Sequence, residues 1–430
     1  MGLSKQSREK MNTTHLSSEQ SEESIKYVCG IDIGSQSCSG CIMKPKKEMV
    51  VKPITFANSK DGWRKLLEHL GQLEASPDQI AIGIEATSRY HENLYEELRR
   101  RGYQMRLLHP GQTHHFHQQQ GLRAKTDRLD ALTIARVLLS GEERAGYLPN
   151  DQVATYREVV RLHTQLSEEV ARYQNQIQAL VVVLFPEFFQ VFADPCLPTA
   201  LAVLKAYPHA QAMGQAGVEA VYQVLRAVPA THFGYPTAEK LVKLAQGSYS
   251  SGRALSGRAN SLRILCDQLE HTQANLRRLE EEMEQLVRTD PRTHGLQQIA
   301  ELGPKTVAVL RAELGEVDRF AHTDQAVAYA GMDVKIKESG KWKGKAKLSK
   351  RGSGLLRQML YLAALRSIRL EGSAFGAYYH HLVERGLKKM SALMAVMRKM
   401  VAVATHLIQT GEDYDPSKVW IGIAARGVAL

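Results

Sequence analysis

The chain has 430 residues, of which 43% are hydrophobic and 7% aromatic, and its formal net charge is +11. This length is sufficient for two or three domains with sizeable cores. No apolar run approaches the roughly 20 residues that a membrane-spanning helix needs, and residues 1–26 lack the apolar core of a secretion signal. We therefore expect a cytoplasmic globular protein with a disordered N-terminal tail over these 26 residues.

The part of the chain that follows this tail alternates strand-like and helix-like patterns. Three consecutive strands are predicted at 27–33, 38–43 and 50–56, followed by a helix in DGWRKLLEHLGQL. QIAIGIE (79–85) and QMRLLH (104–109) predict two further strands, with the helix HENLYEELRRRGY between them. Three leading strands followed by strands that alternate with helices favour a mixed sheet with helices on its faces.

The five cysteines are an odd number, which argues against a disulfide framework. Cys38 and Cys41 form a C-x-x-C pair, a spacing found in zinc and redox sites. No second C-x-x-C or C-x-x-H pair completes such a site, and both residues fall in the strand-like segment SCSGCIM. We expect this pair to be structural.

The middle of the chain is predicted to be helical. Thr126 is a candidate N-cap for a helix that runs to Leu139. Residues 152–183 are helical, and residues 258–288 carry leucine and methionine at spacings of three, four or seven. This second pattern favours a coiled coil or a long paired helix. Between the two long helices, residues 187–250 contain short helical pieces broken by Pro and Gly, and we assign them no role.

A separate C-terminal domain is predicted from about residue 295. Its opening, LQQIAELGPKTVAVLRAELG, indicates a helix, a tight turn and a second helix. This pattern resembles a helix-hairpin-helix, in which the backbone from Gly303 to Thr306, together with Lys305, would bind a DNA phosphate at a helix N-terminus. The motif usually has a second glycine where this chain has Glu301, so a plain helical turn is the alternative.

Most of the excess positive charge lies in one segment. Residues 335–369 contain eleven Lys or Arg and one acid, Glu338, so their net charge is +10. A concentrated basic segment with few interspersed acids is typical of a surface that binds the nucleic-acid backbone. The alternative is a solvated basic face without a partner.

Four acidic residues occupy positions that favour a metal site. Asp32 lies among apolar neighbours in the strand motif GIDIG, where an acid needs a partner. Glu85 ends the strand IAIGIE and is predicted to point away from its isoleucines. Asp127 and Asp130, in KTDRLDA, share one face at the start of a helix. If these elements converge at one sheet edge, the acids repel each other unless cations such as Mg²⁺ neutralise them. The alternative is that they are surface acids and helix caps.

Three histidines, His114, His115 and His117, are clustered in THHFHQQQ and suggest a zinc site at first sight. No thiolate or carboxylate partner has matching spacing. We therefore favour a loop near the sheet edge that touches nucleic acid.

Taken together, these motifs resemble one family. GIDIG, GIEATSRY, HPGQTHHFHQQQGLRAKTDRLDA, and ELGPKTVAVLRAELG with the later AYAGMDVKIKESG are similar to the IS110/IS1111 family of transposases, over roughly residues 27–185 and 295–410. The resemblance implies an α/β RNase H/RuvC-like N-terminal domain (27–150), a helical coiled-coil linker (151–294) and a mainly α C-terminal transposase domain (295–410). A C-terminal tail would follow at 411–430.

The resemblance also implies site residues. The four acids above take the family's DEDD metal-binding positions. The family's nucleophilic serine, in its Y/K-E-S-G motif, falls on Ser339, and Ser349 and Ser353 are nearby alternatives. Basic residues around the serine would hold DNA phosphates: Lys341, Lys343, Lys345, Lys347, Lys350 and Arg351.

The activity that the resemblance implies is Mg²⁺-dependent DNA transposition through a covalent phosphoserine. It also implies a homodimer or homotetramer and a structured guide RNA, for which residues 118–125 and the coiled coil are candidate contacts. Two alternatives from other classes remain open. GIDIGSQS also resembles the first phosphate loop of sugar kinases and actin-like ATP phosphotransferases, although neither their second phosphate loop nor their Gly-Gly motif is found. The second alternative is a nucleic-acid-binding scaffold without catalysis.

Overall fold

The computed structural model describes residues 25–86, 89–119, 126–141, 146, 148–335, 338–339, 342–343 and 347–420. The chain divides into two compact units, Met1–Leu148 and Pro149–Leu430. The first contains a sheet, and the second is mainly helical in the residues described.

The first unit is built on a five-stranded mixed sheet. Its strands are β1 (Tyr27–Ile33), β2 (Ser37–Met43), β3 (Met49–Ala57), β4 (Ile80–Glu85) and β5 (Gln104–Leu108). Their order across the sheet is β3-β2-β1-β4-β5. β1 to β3 pair antiparallel, whereas β4 runs parallel to β1 and to β5. The five predicted strands are confirmed, and the topology is consistent with an RNase H/RuvC-like domain.

Helices cover both faces of this sheet. They are α1 (Lys60–Gly71), α2 (Glu92–Arg100), α3 (Pro110–Gln119) and α4 (Asp127–Ser140) in the described residues. The isoleucines of β4 pack with leucines of α1 and α2 on one face. Ala81 of the same strand packs with Ile134 and Leu138 of α4 on the other. Because side chains alternate along a strand, Glu85 lies on the α4 face, away from the isoleucines, as predicted.

Helix α4 lies unusually close to β1. A Cβ atom added at Gly30 would meet the carbonyl oxygen of Ala131 at 2.2 Å and the nitrogen of Ala135 at 2.5 Å. Only a residue without a side chain permits this approach. The predicted cap is confirmed, because the Thr126 side chain accepts a hydrogen bond from the Leu129 N–H. The beginning of α4 is therefore held against a central strand.

The two cysteines of the C-x-x-C pair are free thiols in the core. Cys38 packs on the face covered by α1 and α2, and Cys41 packs on the face covered by α4. Burial raises the pKa of the Cys41 thiol to about 11. Since the thiols lie on opposite faces of the sheet, they do not share an ion or form a redox pair.

Two long antiparallel helices, α5 (Asp151–Leu184) and α9 (Leu255–Thr289), run through the second unit and connect its two ends. At one end of the pair, Val181 of α5 and Leu262 of α9 belong to the same hydrophobic core. At the other end, Tyr156 of α5 and Met283 of α9 belong to a second core. The prediction of two long paired helices is confirmed, whereas the coiled coil remains a prediction.

The stretch without an assigned role folds into three helices at the first of these ends. They are α6 (Pro198–Ala206), α7 (Ala210–Ala227) and α8 (Tyr235–Gln246). Leu201, Leu225 and Leu241, one from each helix, are buried in the core that they share with the long pair. This group, residues 187–250 with the helix ends beneath it, is called the distal helical core below.

The second core, the C-terminal core, contains the remaining helices. They are α10 (His294–Gln297), α11 (Pro304–Leu314), α12 (Thr323–Tyr329), α13 (Gly354–Arg369), α14 (Ala374–Glu384) and α15 (Lys389–Thr410). Four two-residue strands lie between α12 and α13 in the described residues: β6 (Val334–Lys335), β7 (Glu338–Ser339), β8 (Trp342–Lys343) and β9 (Lys347–Leu348). Short 3-10 helices span Pro77–Gln79, Pro186–Gln190, Pro291–Thr293, Val317–Arg319 and Pro416–Lys418.

Two features of this core differ from the sequence prediction. The helix expected before the Gly303 turn has only four residues, because Ile299 and Leu302 reach the core through successive turns instead. The packed chain also continues past residue 410, since Val419 is buried in the core. By length and composition α15 is apolar enough to cross a membrane, but Met400 and its neighbours form the middle of this core.

Candidate functional site

The register of β1 with β4 places two of the four acids side by side. Ile31 pairs with Ile84 in the parallel ladder, so Asp32 stands level with Glu85 on the adjacent strand. Neighbouring strands lie about 4.8 Å apart, and residues at the same level point to the same face. Both side chains are half-buried. Two carboxylates therefore stand together at the carboxyl ends of adjacent parallel strands.

A buried hydroxyl lies next to Asp32 on the neighbouring strand. Ser39 of β2 is paired directly with Asp32 and is only 2% exposed. Directly opposed residues of an antiparallel pair share a face. Ser39 thus extends the polar row of Asp32 and Glu85 to a third strand. Ser39 carries no signal of such a position in the sequence, because it falls inside an apolar strand pattern.

Glu85 is held by a side chain from α3. The Thr113 hydroxyl donates a 2.6 Å hydrogen bond to Glu85 Oε2, and Thr113 is 7% exposed. The same hydroxyl oxygen lies 2.9 Å from the Pro110 carbonyl oxygen. One carboxylate oxygen of Glu85 is therefore fixed by a buried donor. Thr113 was not predicted from the sequence either.

The other two acids lie at the start of α4. Asp127 is exposed and Asp130 is half-buried. Asp130 directly precedes Ala131, whose carbonyl oxygen closely approaches Gly30, two residues before Asp32 on the same face of β1. In the described part of the chain, no group of three or more His, Cys, Asp or Glu side chains is close enough to hold a metal ion. The structure thus pairs two acids and does not gather all four into one ligand group.

The histidine cluster lies in helix α3, so the prediction of a loop is wrong. Pro110 begins a helix immediately after β5, at a position that proline favours, and Phe116 packs against the core beneath α4. His114 is exposed and contacts Gln118, with 3.0 Å between the two side-chain nitrogens. His115 is exposed too, and His117 belongs to the same helix.

The predicted nucleophile lies on a short hairpin. Ser339 of β7 pairs with Trp342 of β8, and β6 pairs with β9 on the chain segments that flank the hairpin. Its two alternatives have structural roles. Ser353 caps α13, where its Oγ accepts a 3.1 Å hydrogen bond from the Leu356 N–H. Ser349 Oγ accepts a 3.4 Å hydrogen bond from the Arg351 N–H.

The structure describes four of the six predicted basic contacts around the serine: Lys343, Lys347, Lys350 and Arg351. Lys341 and Lys345 lie outside the described residues. Lys343 is in β8 and Lys347 is in β9. Lys350 and Arg351 are exposed, and the Lys350 N–H donates to the Gly331 carbonyl oxygen at 3.1 Å. At least two cations of this segment therefore face solvent.

The turn before α11 presents its glycine to solvent. Gly303 is the N-cap, and a Cβ atom added there would meet nothing within 4 Å. Thr306 is buried, and its N–H donates to the Gly303 carbonyl oxygen at 2.9 Å. Lys305 is half-buried. Burial lowers the pKa of Lys305, and the carboxylate of Glu280 acts in the opposite direction.

Two family models match this chain on either side of the distal helical core. A transposase model of the IS110 DEDD type matches residues 29–186, which contain the four acids. A model described as a transposase of the IS116/IS110/IS902 family matches residues 293–380, which contain Ser339. The chain belongs to the IS110/IS116/IS902 family of transposases.

This transposase is similar to proteins of known insertion elements and to a gene-inverting protein. The 44.8 kDa protein of insertion element IS116 from Streptomyces clavuligerus is 21% identical over 304 residues, 68% of this chain and 73% of that protein. The 43.6 kDa protein of IS110 from Streptomyces coelicolor is 22% identical over 301 residues, 68% and 72% of the two chains. The pilin gene-inverting protein of Moraxella bovis is 20% identical over 395 residues, 91% and 98% of the two chains.

Family membership identifies the chain as a DNA transposase or recombinase. It therefore decides against the ATP phosphotransferase and against the non-catalytic scaffold.

Proposed function

We propose that this transposase cuts and rejoins DNA at the ends of an insertion element, with Mg²⁺ held by its four acids and with Ser339 as the covalent nucleophile. The observation that carries the proposal is the level pairing of Asp32 with Glu85 on the face covered by α4. The first turn of that helix bears Asp127 and Asp130.

The donor set fits a hard divalent cation, because all four side chains offer carboxylate oxygens. Magnesium bound there would polarise the scissile phosphate and neutralise negative charge that develops on it. Asp127 is exposed, so its side chain is free to turn toward the strand acids. The proposal requires Asp127 and Asp130 to make this turn, because like charges gather only around a cation.

In the proposed reaction, Ser339 Oγ attacks the scissile phosphorus. A Ser–O–P bond forms and the bond from phosphorus to the 3′ oxygen breaks. The serine proton passes to solvent, and the departing oxygen takes a proton to become a 3′-hydroxyl. Attack by a new 3′-hydroxyl on the phosphoserine then restores a phosphodiester and releases the serine. Ser349 and Ser353 suit this role less well, because their hydroxyls already accept backbone hydrogen bonds.

The partners follow from charge and from the family resemblance. The basic segment around Ser339 would hold DNA phosphates, and Lys350 and Arg351 are among its exposed members. The open helix start at Gly303, with Lys305 beside it, would hold another phosphate, and Thr306 would support the turn. We also propose a structured guide RNA, a homodimer or homotetramer, and a cytoplasmic location.

The test is to trap and map the covalent intermediate. The protein is incubated with Mg²⁺ and DNA that carries an element end, quenched with denaturant, digested and analysed by mass spectrometry. We expect a nucleotide-linked peptide at Ser339, and none from an Asp32→Ala variant that still binds the DNA. An adduct on Ser349 or Ser353 would correct the nucleophile, whereas a normal adduct yield from Asp32→Ala would overturn the metal site.

A further inference from the structure

We infer that Thr113 is a positioning residue for the metal site, because its hydroxyl holds one oxygen of Glu85 while the carboxylate stands level with Asp32. The inference rests on the proposed function and adds a residue from α3 to a site otherwise built from two strands and α4. Its chemical role is to donate a hydrogen bond to a metal ligand.

The geometry of the contact is that of a strong hydrogen bond. The distance from Thr113 Oγ1 to Glu85 Oε2 is 2.6 Å, within the range of about 2.5–2.7 Å for a hydroxyl that donates to a charged oxygen. The Pro110 carbonyl oxygen, 2.9 Å away, competes for the same single proton. The carboxylate is both closer and charged, so it is the stronger acceptor. Burial of Thr113 strengthens the bond further.

The fold explains why this threonine reaches Glu85. Leu108 of β5 pairs directly with Glu85 in the parallel ladder. The chain enters α3 at Pro110 only two residues later, so the first turn of the helix passes over the end of β4. Phe116 in the next turn packs into the core beneath α4. The donor is therefore attached to a packed helix and does not move independently of the sheet.

A fixed donor matters because Glu85 ends its strand and has a flexible side chain. Holding Oε2 restricts the carboxylate to few orientations, and Oε1 is not used by Thr113. Threonine suits this role, because its branched Cβ restricts χ1 and so limits the positions of its hydroxyl oxygen. Loss of a hydrogen bond to a metal ligand typically weakens metal binding by about 10–100-fold.

The experiment measures metal binding directly with Mn²⁺, a spectroscopic substitute for Mg²⁺. Free Mn²⁺ is followed by electron paramagnetic resonance as MnCl₂ is titrated into wild-type protein, Thr113→Val, Thr113→Ser and Asp32→Ala. Thr113→Val keeps the shape and loses the hydroxyl, so we expect binding about 10-fold weaker than wild type. Thr113→Ser keeps the hydroxyl and should bind within about 2-fold of wild type, by the same principle.

The outcomes separate the inference from the proposal beneath it. Wild-type affinity in Thr113→Val, alongside impaired binding in Asp32→Ala, would refute the positioning role alone. Weakening in Thr113→Ser as large as that in Thr113→Val would show that keeping the hydroxyl does not preserve metal binding, and it would refute the positioning role too. If Thr113→Val does not fold, Thr113→Ala takes its place in the same comparison. Wild-type protein that binds no better than Asp32→Ala would overturn both the inference and the metal site.

Discussion

Asp32 and Glu85 on one side, and Ser339 on the other, lie in different kinds of β-structure. Asp32 and Glu85 lie at the ends of adjacent strands of a five-stranded sheet, on the face where α4 packs. Ser339 lies on a strand of two residues paired with another of two residues. The acids are proposed to hold a metal ion, and the ligands of one ion must keep a common geometry, which a fixed register provides. Ser339, the proposed nucleophile, is carried by a short hairpin instead.

The largest expected effect comes from neutralising Glu85, one of the two paired carboxylates. Glu85→Gln keeps the size of the side chain and an acceptor for Thr113, but removes one negative charge from the proposed ligands. We expect the rate of DNA strand cleavage to fall by roughly 10³-fold, equivalent to about 4 kcal/mol of transition-state stabilisation. The rate is measured on element-end DNA at saturating Mg²⁺.

The matched control for this change is Glu74→Gln, which neutralises an exposed acid in the same unit. Its cleavage rate should equal that of the wild type. If Glu85→Gln also cleaves at the wild-type rate, the Glu85 carboxylate is not needed for cleavage. The comparison between a metal site on the sheet and a nucleophile on the hairpin would then be wrong.

A smaller effect, on stability, is expected where α4 meets the sheet. In Gly30→Ala the new methyl group would meet the Ala131 carbonyl oxygen at 2.2 Å, so the helix must move away. We expect a loss of about 1–3 kcal/mol in the free energy of unfolding, measured by urea denaturation. Gly71→Ala is the control, because a Cβ atom there meets nothing within 4 Å. Equal stability of the two variants would contradict tight packing of α4 on β1.

The smallest expected effect on stability is that of Ser353→Ala, and it helps to identify the nucleophile. Ser353→Ala removes the cap of α13 and should cost about 1 kcal/mol of stability, with covalent adduct formation retained. Ser339→Ala should show the reverse, with no adduct and near wild-type stability. Urea denaturation and denaturing gels of protein–DNA reactions measure the two properties. An adduct that disappears in Ser353→Ala but persists in Ser339→Ala would exchange their roles.

The strands of the sheet could be predicted from the sequence because the apolar pattern of each strand is local. Alternating or continuous apolar runs bounded by Gly, Pro and charged residues predicted all five strands to within one residue at each end. The same alternation correctly placed Glu85 opposite the isoleucines of its strand. Which strands become neighbours is not local, so the level pairing of Asp32 with Glu85 required the structure.

The sequence predicts only short helical pieces over residues 187–250, and the reason is different. Pro198 and Pro236 look like breaks in the pattern, but both lie in the first turns of helices, where proline is tolerated. The helix of His114 was mistaken for a loop because its composition is polar and its apolar contact rests on Phe116. Thr113 gave no signal, since its partner Glu85 is 28 residues away.

The two long helices of the second unit have a geometric consequence. With 34 and 35 residues, each is roughly 50 Å long at about 1.5 Å per residue, and its two ends belong to the two cores. Deleting one residue from each would swing the far core by about 100° around the axis. Deleting seven from each would shorten the reach by about 10 Å and nearly preserve its facing. We therefore expect length changes in this helix pair to be tolerated only in steps of about two helical turns, made in both helices at once.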